Sequence, residues 1–167
     1  MKKLFVFSLL LIFTGCGYHL VGTAPYEKTV SLSGKKVAVV TFANRVDEPG
    51  VESIFTRALT NELLKTGRVE LTSEKNADYI ITGDVVVYRK ETMSVDEKGD
   101  VLTYRLTLGV NVRVKDRGGR VVARYDNLTD YEDYRVYKDI EKTKDAEREA
   151  ARKISESLSQ MIASLLL

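Results

Sequence analysis

The sequence predicts a single α+β domain, in which two helices pack on one face of a mixed, mostly antiparallel β-sheet. Apolar and polar side chains alternate strictly over residues 102–115, a pattern typical of a long antiparallel strand with one buried and one solvated face. Apolar residues recur at helical spacing after Pro49 and again after Asp139, which indicates two amphipathic helices. The opposite face of the sheet is therefore expected to be exposed.

The first half of this domain contains two buried strands separated by a helix. A run of β-branched residues at 37–42 predicts the first strand. The helix is expected to hold Pro49 in its first turn and to end at Gly67, a typical carboxyl-terminal cap. A brief strand is expected at 69–71 and a long one at 79–88, which completes a right-handed βαβ crossover.

The second half contains a hairpin and the second helix. Residues 116–119 (Asp-Arg-Gly-Gly) are typical of a hairpin turn, and residues 121–136 return as a strand. Tyr125 and Tyr131 share one parity of this strand, whereas Leu128 and Tyr134 share the other, which predicts a β-bulge or twist between them. From about Asp139 the chain is expected to be helical to its end, with a charged first part and an apolar stripe that begins at Ala150.

A secretory signal occupies residues 1–15. Lys2 and Lys3 precede a nearly unbroken apolar run, and small residues lead into Cys16. The run is too short to cross a bilayer, which takes roughly 20 helical residues. A cysteine directly after the cut marks a bacterial lipoprotein, in which the thiol is acylated; the alternative is an ordinary secreted protein. We expect residues 16–34 to be a lipid-anchored tether, with a short strand at 18–21, and residues 35–167 to be the domain.

Charge and cysteine content limit which functions and which kinds of stabilisation are expected for this protein. The chain has 26 Lys and Arg against 24 Asp and Glu, and removal of the signal with Lys2 and Lys3 leaves no net charge. Nucleic-acid binding is not expected, because it usually requires a basic stripe and a high domain pI. Cys16 is the only cysteine, so the mature protein has no internal disulfide, and its stability must come from an ordinary core.

Catalysis has little support in the sequence, and we expect neither an enzyme nor a cofactor. His19 is the only histidine, and Cys16-x-x-His19 is a lone pair without the second pair that a metal site needs. A weaker option is an enzyme acting on envelope glycans, which would require the carboxylates of a Tyr-rich acidic stretch to converge in a pocket. Those carboxylates belong to Asp126, Asp130, Glu132 and Asp133.

The same stretch offers a candidate protein interface. Tyrosine is enriched at interfaces, and the candidates are Tyr125, Tyr131 and Tyr134. The alternative is an edge strand that its charges protect from aggregation, with half-buried tyrosines.

Basic side chains on or near the solvated face form a second candidate site. Arginine binds phosphate in a bidentate way, so these residues could contact an anionic glycolipid such as lipopolysaccharide. The alternative is an ordinary solvated face. The candidates are Arg89, Lys90, Arg105, Arg113, Lys115, Arg117 and Arg120.

The segment Cys16-Gly17-Tyr18-His19-Leu20 resembles the start of the mature lipopolysaccharide-assembly lipoproteins (LptE), and the order of elements fits that family over nearly the whole chain. The resemblance implies a lipid-anchored protein on the periplasmic side of the outer membrane. It also implies that the protein sits inside the β-barrel translocon LptD as a plug, assists its assembly and binds lipopolysaccharide. Gly17 after the acylated cysteine is consistent with export to the outer membrane.

A second resemblance leaves another function open. Residues 36–87 are similar to a subdomain of the curli-secretion lipoproteins and of the Tol-system propeller protein. This resemblance implies a periplasmic secretion or adaptor lipoprotein. A homo-oligomeric ring would favour that function, whereas a large outer-membrane barrel as partner would favour the plug.

Overall fold

A computed structural model of the protein describes residues 30–167. The expected signal peptide, Cys16 and the strand at 18–21 lie outside the described residues. A single turn of 3₁₀ helix spans Glu74–Asn76. The elements in order are β1 (Lys36–Val39), β2 (Ala43–Asn44), α1 (Val51–Thr66), β3 (Glu70–Leu71), β4 (Tyr79–Val95), β5 (Val101–Asp116), β6 (Val121–Arg135) and α2 (Ile140–Leu166).

The strands form one open mixed sheet, and the predicted α+β class is confirmed. The strand order is β3-β1-β4-β5-β6, and β2 also pairs with β4. β1 runs parallel to β3 and β4, as expected for a strand–helix–strand unit, whereas β4, β5 and β6 are antiparallel neighbours. The three long antiparallel strands dominate the sheet.

One face of the sheet carries the core, and both helices lie on it. The alternation in β5 has the predicted consequence, because Leu106, Leu108, Val110, Val112 and Val114 are all fully buried. The two helices contribute the other large core residues, which include Phe55, Leu59 and Leu63 of α1 and Ile154, Leu158 and Ile162 of α2. Below we call the other side of β4–β6, which points away from the helices, the open face.

The first strand is shorter than the predicted run at 37–42. β1 ends at Val39, and Phe42 leaves the strand path to pack its ring edge-on against Phe55 at 4.8 Å between centroids. The backbone N–H of Phe42 is satisfied by Thr56 Oγ1 at 3.0 Å rather than by a neighbouring strand. The apolar run at 37–42 therefore reflects burial, but only part of it is strand.

The start of α1 differs from the prediction. Pro49 lies before the helix, since Gly50 adopts a left-handed conformation (φ 87°) at the N-cap and the first helical residue is Val51. Gly50 turns the chain into the helix, so the proline marks the turn rather than the first helical position. The predicted end is confirmed: Gly67 has φ 63°, and its N–H donates to the carbonyl of Leu64.

β4 is longer than predicted and contains a bulge. The register shifts between Val85 and Val87, so the side-chain alternation changes phase within the strand. The extended part, up to Val95, pairs with the start of β5 in a hairpin arm whose β4 side chains are exposed. Buried and exposed side chains do not alternate in the β4 part of that arm, so the sequence pattern did not predict the full length of β4.

The bulge predicted in β6 is confirmed. Val112 pairs with Tyr125 and Val110 pairs with Leu128, so two residues of β6 stand opposite one residue of β5. One of these two, Asn127, has φ 53°, a conformation that asparagine tolerates better than most residues. The bulge brings Tyr125 and Leu128 onto the same face, where both pack against the core.

Both ends of the described domain lie together. Leu32 is fully buried, and its N–H donates to the carbonyl of Leu166 at 2.8 Å. Ser33 Oγ donates to the carbonyl of Leu167 at 3.0 Å. At its amino end, α2 begins after Asp139, close to the predicted start. The Asp139 carboxylate accepts the N–H groups of Glu141 and Lys142. Within residues 30–167, neither helix is both long and apolar enough to span a bilayer.

Candidate partner-binding and lipid-binding surface

The open face is polar and is organised by ion pairs between neighbouring strands. The strand register places opposite residues of β4, β5 and β6 side by side on it. Val87 and Thr129 close over Gly109, where a Cβ would lie within about 3 Å of both side chains. The charged residues of the open face are Asp84, Arg89, Glu91, Arg105, Arg113, Lys115, Arg124, Asp133 and Arg135.

Arg105 is held on the open face by a bidentate ion pair and an aromatic ring. Its Nε and Nη2 donate to the two carboxylate oxygens of Asp133 at 2.7 and 2.9 Å, and its guanidinium lies 4.1 Å from the ring centroid of Tyr131. The hydrogen bonds from Arg105 hold the pKa of Asp133 below its usual range. Two of the five guanidinium N–H donors bind Asp133, so the others can bind a further anion.

Arg113 lies on the open face near the end of β5. It binds the nearly buried carboxylate of Asp84, which also accepts from Nε of Arg45 at 3.3 Å. Two cations therefore share one anion, and this cluster keeps a positive charge at the surface. Such clusters attract anionic groups more strongly than isolated pairs do.

The other predicted lipid-binding residues do not join this cluster. Arg89 lies on the open face and pairs with Glu91 at 3.4 Å. Lys90 lies on the helix-covered side, because the bulge in β4 changes the phase, and it pairs with Glu147 of α2 at 3.0 Å. The seven predicted cations thus occupy separate places rather than one patch.

The remaining three cations lie at the β5–β6 turn. Arg117 pairs with Asp78 at 3.1 Å and Arg120 with Asp116 at 2.8 Å. Lys115 makes no ion pair within residues 30–167. This turn lies at the end of the molecule where the described chain begins and ends.

The three predicted interface tyrosines have different surroundings. Tyr131 is 55% exposed on the open face and is available to a partner. Tyr134 is only 6% exposed, and its hydroxyl donates to Glu147 at 3.2 Å, so the structure places it in the core. Tyr125 is half-buried, and its hydroxyl donates to the carbonyl of Leu165 at 3.5 Å.

Sequence reasoning missed Glu147, a half-buried carboxylate of α2 at the edge of the core. Its carboxylate accepts from the hydroxyls of Tyr88 and Tyr134 at 2.7 and 3.2 Å and from Lys90. Burial raises the pKa of Glu147, but the hydrogen bonds from Tyr88 and Lys90 outweigh it and leave this pKa below its usual value. Burial and this carboxylate together raise the pKa of both tyrosines. The helical spacing of Glu147 from Ala150 and Ala151 is the signal that could have identified it.

The carboxylates of the Tyr-rich stretch do not converge. Glu132 pairs with Lys153 of α2 at 2.8 Å on the helix side, whereas Asp133 pairs with Arg105 on the open face. Asp126 pairs with Arg124 within β6 at 2.6 Å. The convergence that a glycan-cleaving enzyme requires is therefore missing from these residues, and residues 30–167 contain no group of three side chains placed to hold a metal.

The free edge of β6 carries features that oppose pairing with another strand. The carboxylate of Asp130 accepts the backbone N–H of Tyr131 at 2.8 Å. The bulge at Asn127 bends the same strand, and charged residues alternate along it. Bulges and charges of this kind protect sheet edges, which supports the edge-strand interpretation of the acidic stretch.

Solved structures share this fold. PelC from Paraburkholderia phytofirmans, described as a dodecamer, is 21% identical with a TM-score of 0.54, and the match covers 83% of this chain and 93% of that one. A minor lipoprotein from Acinetobacter baumannii is 19% identical with a TM-score of 0.52, covering 79% and 90%. A Xanthomonas campestris protein is 14% identical with a TM-score of 0.56, covering 84% and 89%. The comparison with curated proteins found no match to this chain.

The fold is thus similar to that of a bacterial lipoprotein. The family model described as lipopolysaccharide-assembly (LptE) matches residues 34–166, and the chain belongs to this family. It is therefore an envelope protein of the lipopolysaccharide-assembly lipoprotein type.

Proposed function

We propose that this protein is anchored to the periplasmic side of the outer membrane by acyl chains on Cys16. There it binds inside the LptD β-barrel as a non-catalytic plug, helps the barrel assemble and contacts lipopolysaccharide. Family membership over residues 34–166 is the observation that carries this proposal. The neutral charge of the domain and the polar open face support it, because the lumen of a barrel is polar and wet.

Copurification tests the barrel as partner. The protein carrying an affinity tag after Leu167 is isolated from outer membranes solubilised in mild detergent. We expect a stoichiometric complex with LptD, detected by mass spectrometry. Recovery of the protein without any barrel would contradict the plug.

Within this proposal, the open face provides the lipopolysaccharide contacts through Arg105 and Arg113, with Arg89 beside them. The double variant Arg105→Gln/Arg113→Gln should weaken binding of lipopolysaccharide by roughly fivefold or more, because it removes two guanidinium–phosphate contacts. The melting temperature should change by no more than about 3 °C, since Asp84 keeps Arg45 as partner and Asp133 is exposed. Binding is measured on the purified protein by fluorescence titration.

The matched control is Arg148→Gln on α2, which breaks an exposed arginine–aspartate pair on the other side of the molecule. This variant should bind lipopolysaccharide as the parent does. Equal binding by the double variant and the control would clear Arg105 and Arg113 of the role.

The lipid anchor has its own test. Cys16→Ala should leave the domain folded but release it from the membrane fraction, because no other acylation site is proposed and neither described helix could span a bilayer. Fractionation and circular dichroism measure the two properties. A mature terminus with a free thiol in the parent protein, found by intact-mass spectrometry, would rule out acylation.

A homo-oligomeric secretion or adaptor lipoprotein is the alternative function. The structural likeness to the PelC dodecamer favours it, although at 21% identity this likeness extends to the fold alone. The mass of the detergent-solubilised particle discriminates between the two functions. A ring of this chain without LptD would support the alternative.

A further inference from the structure

The described domain is electrically neutral but has one positive end. Residues 30–167 contain 23 basic and 23 acidic side chains. Seven of the basic ones and only four of the acidic ones lie where the start of β1, the 3₁₀ turn, the β5–β6 turn and the carboxyl ends of the helices meet. We call this end the basic pole; its charged residues are Lys35, Lys36, Arg68, Glu70, Glu74, Lys75, Asp78, Lys115, Asp116, Arg117 and Arg120.

Hydrogen bonds and ion pairs join several parts of the basic pole. Asp78 joins two elements, since it accepts from Arg117 Nη2 at 3.1 Å and from the backbone N–H of Lys36 at 3.1 Å. Lys36 pairs only loosely with Glu70, at 3.7 Å. A shallow polar depression lies between these residues and Lys75.

The cations of this surface are exposed and weakly engaged. The side chain of Arg117 is 71% exposed and that of Arg120 is 84% exposed, so water screens both of their ion pairs. Lys35, Lys75 and Lys115 make no ion pair within the described part of the chain. Each of these side chains can therefore turn toward an external anion with little loss of ion-pair energy within the domain.

The same surface carries the beginning of the described chain. Leu32 and Ser33 are fixed there by the last residues of α2, and Gly34 N–H donates to the carbonyl of Arg68 at 2.7 Å. Only 13 residues lie between Cys16 and Val30, so 14 Cα–Cα steps join them. Fully extended, they span at most roughly 50 Å, so the basic pole is the part of the domain closest to the anchor along the chain.

We propose that the basic pole docks on the headgroups of an anionic phospholipid bilayer and so fixes the orientation of the domain on its membrane. This inference rests on the lipid anchor in the proposed function and concerns the anchored protein before it enters the barrel. The anchor holds the pole at high effective concentration near the headgroups, and each basic side chain near an anionic surface adds to the attraction. β5 runs from the hairpin tip to this pole, which places the tip roughly 50 Å away on the side facing the periplasm.

Site-specific fluorescence on the full-length lipidated protein tests the docking. Cys16 is the only cysteine and is acylated, so an introduced cysteine is a unique labelling site. Asn76→Cys places a fluorophore at the basic pole, and Ser94→Cys places one on the distal hairpin arm; both positions are exposed. Each protein is reconstituted on phosphatidylcholine vesicles with or without phosphatidylglycerol, and headgroup-attached quenchers report contact with the bilayer.

The Asn76 label should be quenched on the anionic vesicles and not on the neutral ones, and the Ser94 label on neither. Quenching should disappear at about 1 M salt, where the screening length falls to about 3 Å. Lys75→Gln/Arg117→Gln/Arg120→Gln should shift the docking equilibrium by roughly fivefold per cation removed, or about a hundredfold in all. A matched distal triple variant, Lys98→Gln/Lys138→Gln/Lys142→Gln, should dock like the parent.

Equal quenching of the Asn76 label on neutral and anionic vesicles would overturn the inference, and so would equal loss in the two triple variants. Quenching on vesicles containing lipopolysaccharide but not on those containing phosphatidylglycerol would also overturn it. Failure of the protein to float with neutral vesicles would overturn the lipid anchor and the inference with it. Flotation without quenching on anionic vesicles would overturn the docking alone.

Discussion

Leu106→Asp is expected to unfold the domain. Leu106 is fully buried within β5, so the substitution removes core packing and buries a carboxylate. The nearest cations, Lys90 and Lys153, are already paired with Glu147 and Glu132. The expected loss is at least about 4 kcal/mol, a large part of the stability of an ordinary domain. Thermal unfolding followed by circular dichroism should show no cooperative transition above room temperature.

Thr107→Asp is the matched control, because it adds the same charge one residue further along the same strand. Thr107 lies on the open face opposite Arg89 and Tyr131, where a carboxylate meets water and a cation. Its melting temperature should stay within about 4 °C of the parent. A folded Leu106→Asp protein together with an unfolded Thr107→Asp protein would show that the two faces of the sheet are assigned the wrong way round.

Gly83→Ala should destabilise the domain by about 3 kcal/mol or more, although it adds a single carbon. A Cβ at position 83 would overlap the backbone carbonyl oxygen of Asn111 and would lie 2.9 Å or less from two ring atoms of Phe42. The ring is confined between the sheet and Phe55, and the carbonyl belongs to the neighbouring strand. Neither neighbour can retreat, so the strain appears as a lower midpoint in urea denaturation.

Gly118→Ala provides the comparison for this substitution. A Cβ there would meet only the side chain of Asp116, at 3.2 Å, and the turn is exposed. The urea midpoint should change little. Similar midpoints for Gly83→Ala and Gly118→Ala would mean that Phe42 does not rest on Gly83 as described.

The sequence was sufficient wherever one side of an element is buried along its length. The sequence predicted the alternation in β5, the Gly67 cap of α1, the start of α2 at about Asp139 and the bulge near Asn127, and the structure confirms them. Each of these features has a local cause that can be read from a few neighbouring residues.

Predictions that depended on distant residues were less successful. The bulge at Val86 sends Lys90 to the helix side, and nothing in residues 79–90 announces it. The burial of Tyr134 depends on Glu147 of α2, and the pairing of Arg105 with Asp133 depends on the register of two strands. The cations of the candidate site could be named from the sequence, but their partners and faces could not.

The bent outer strand has a consequence for the period before the protein meets any partner. Copies held on one membrane by the proposed anchor would collide far more often than the same number dispersed in a compartment. A straight strand with free amides would then invite chain-to-chain stacking of the kind that leads to fibrils. Asp130 already accepts the backbone N–H of Tyr131, and the strand bends at Asn127. Both features oppose edge-to-edge strand pairing between newly delivered copies.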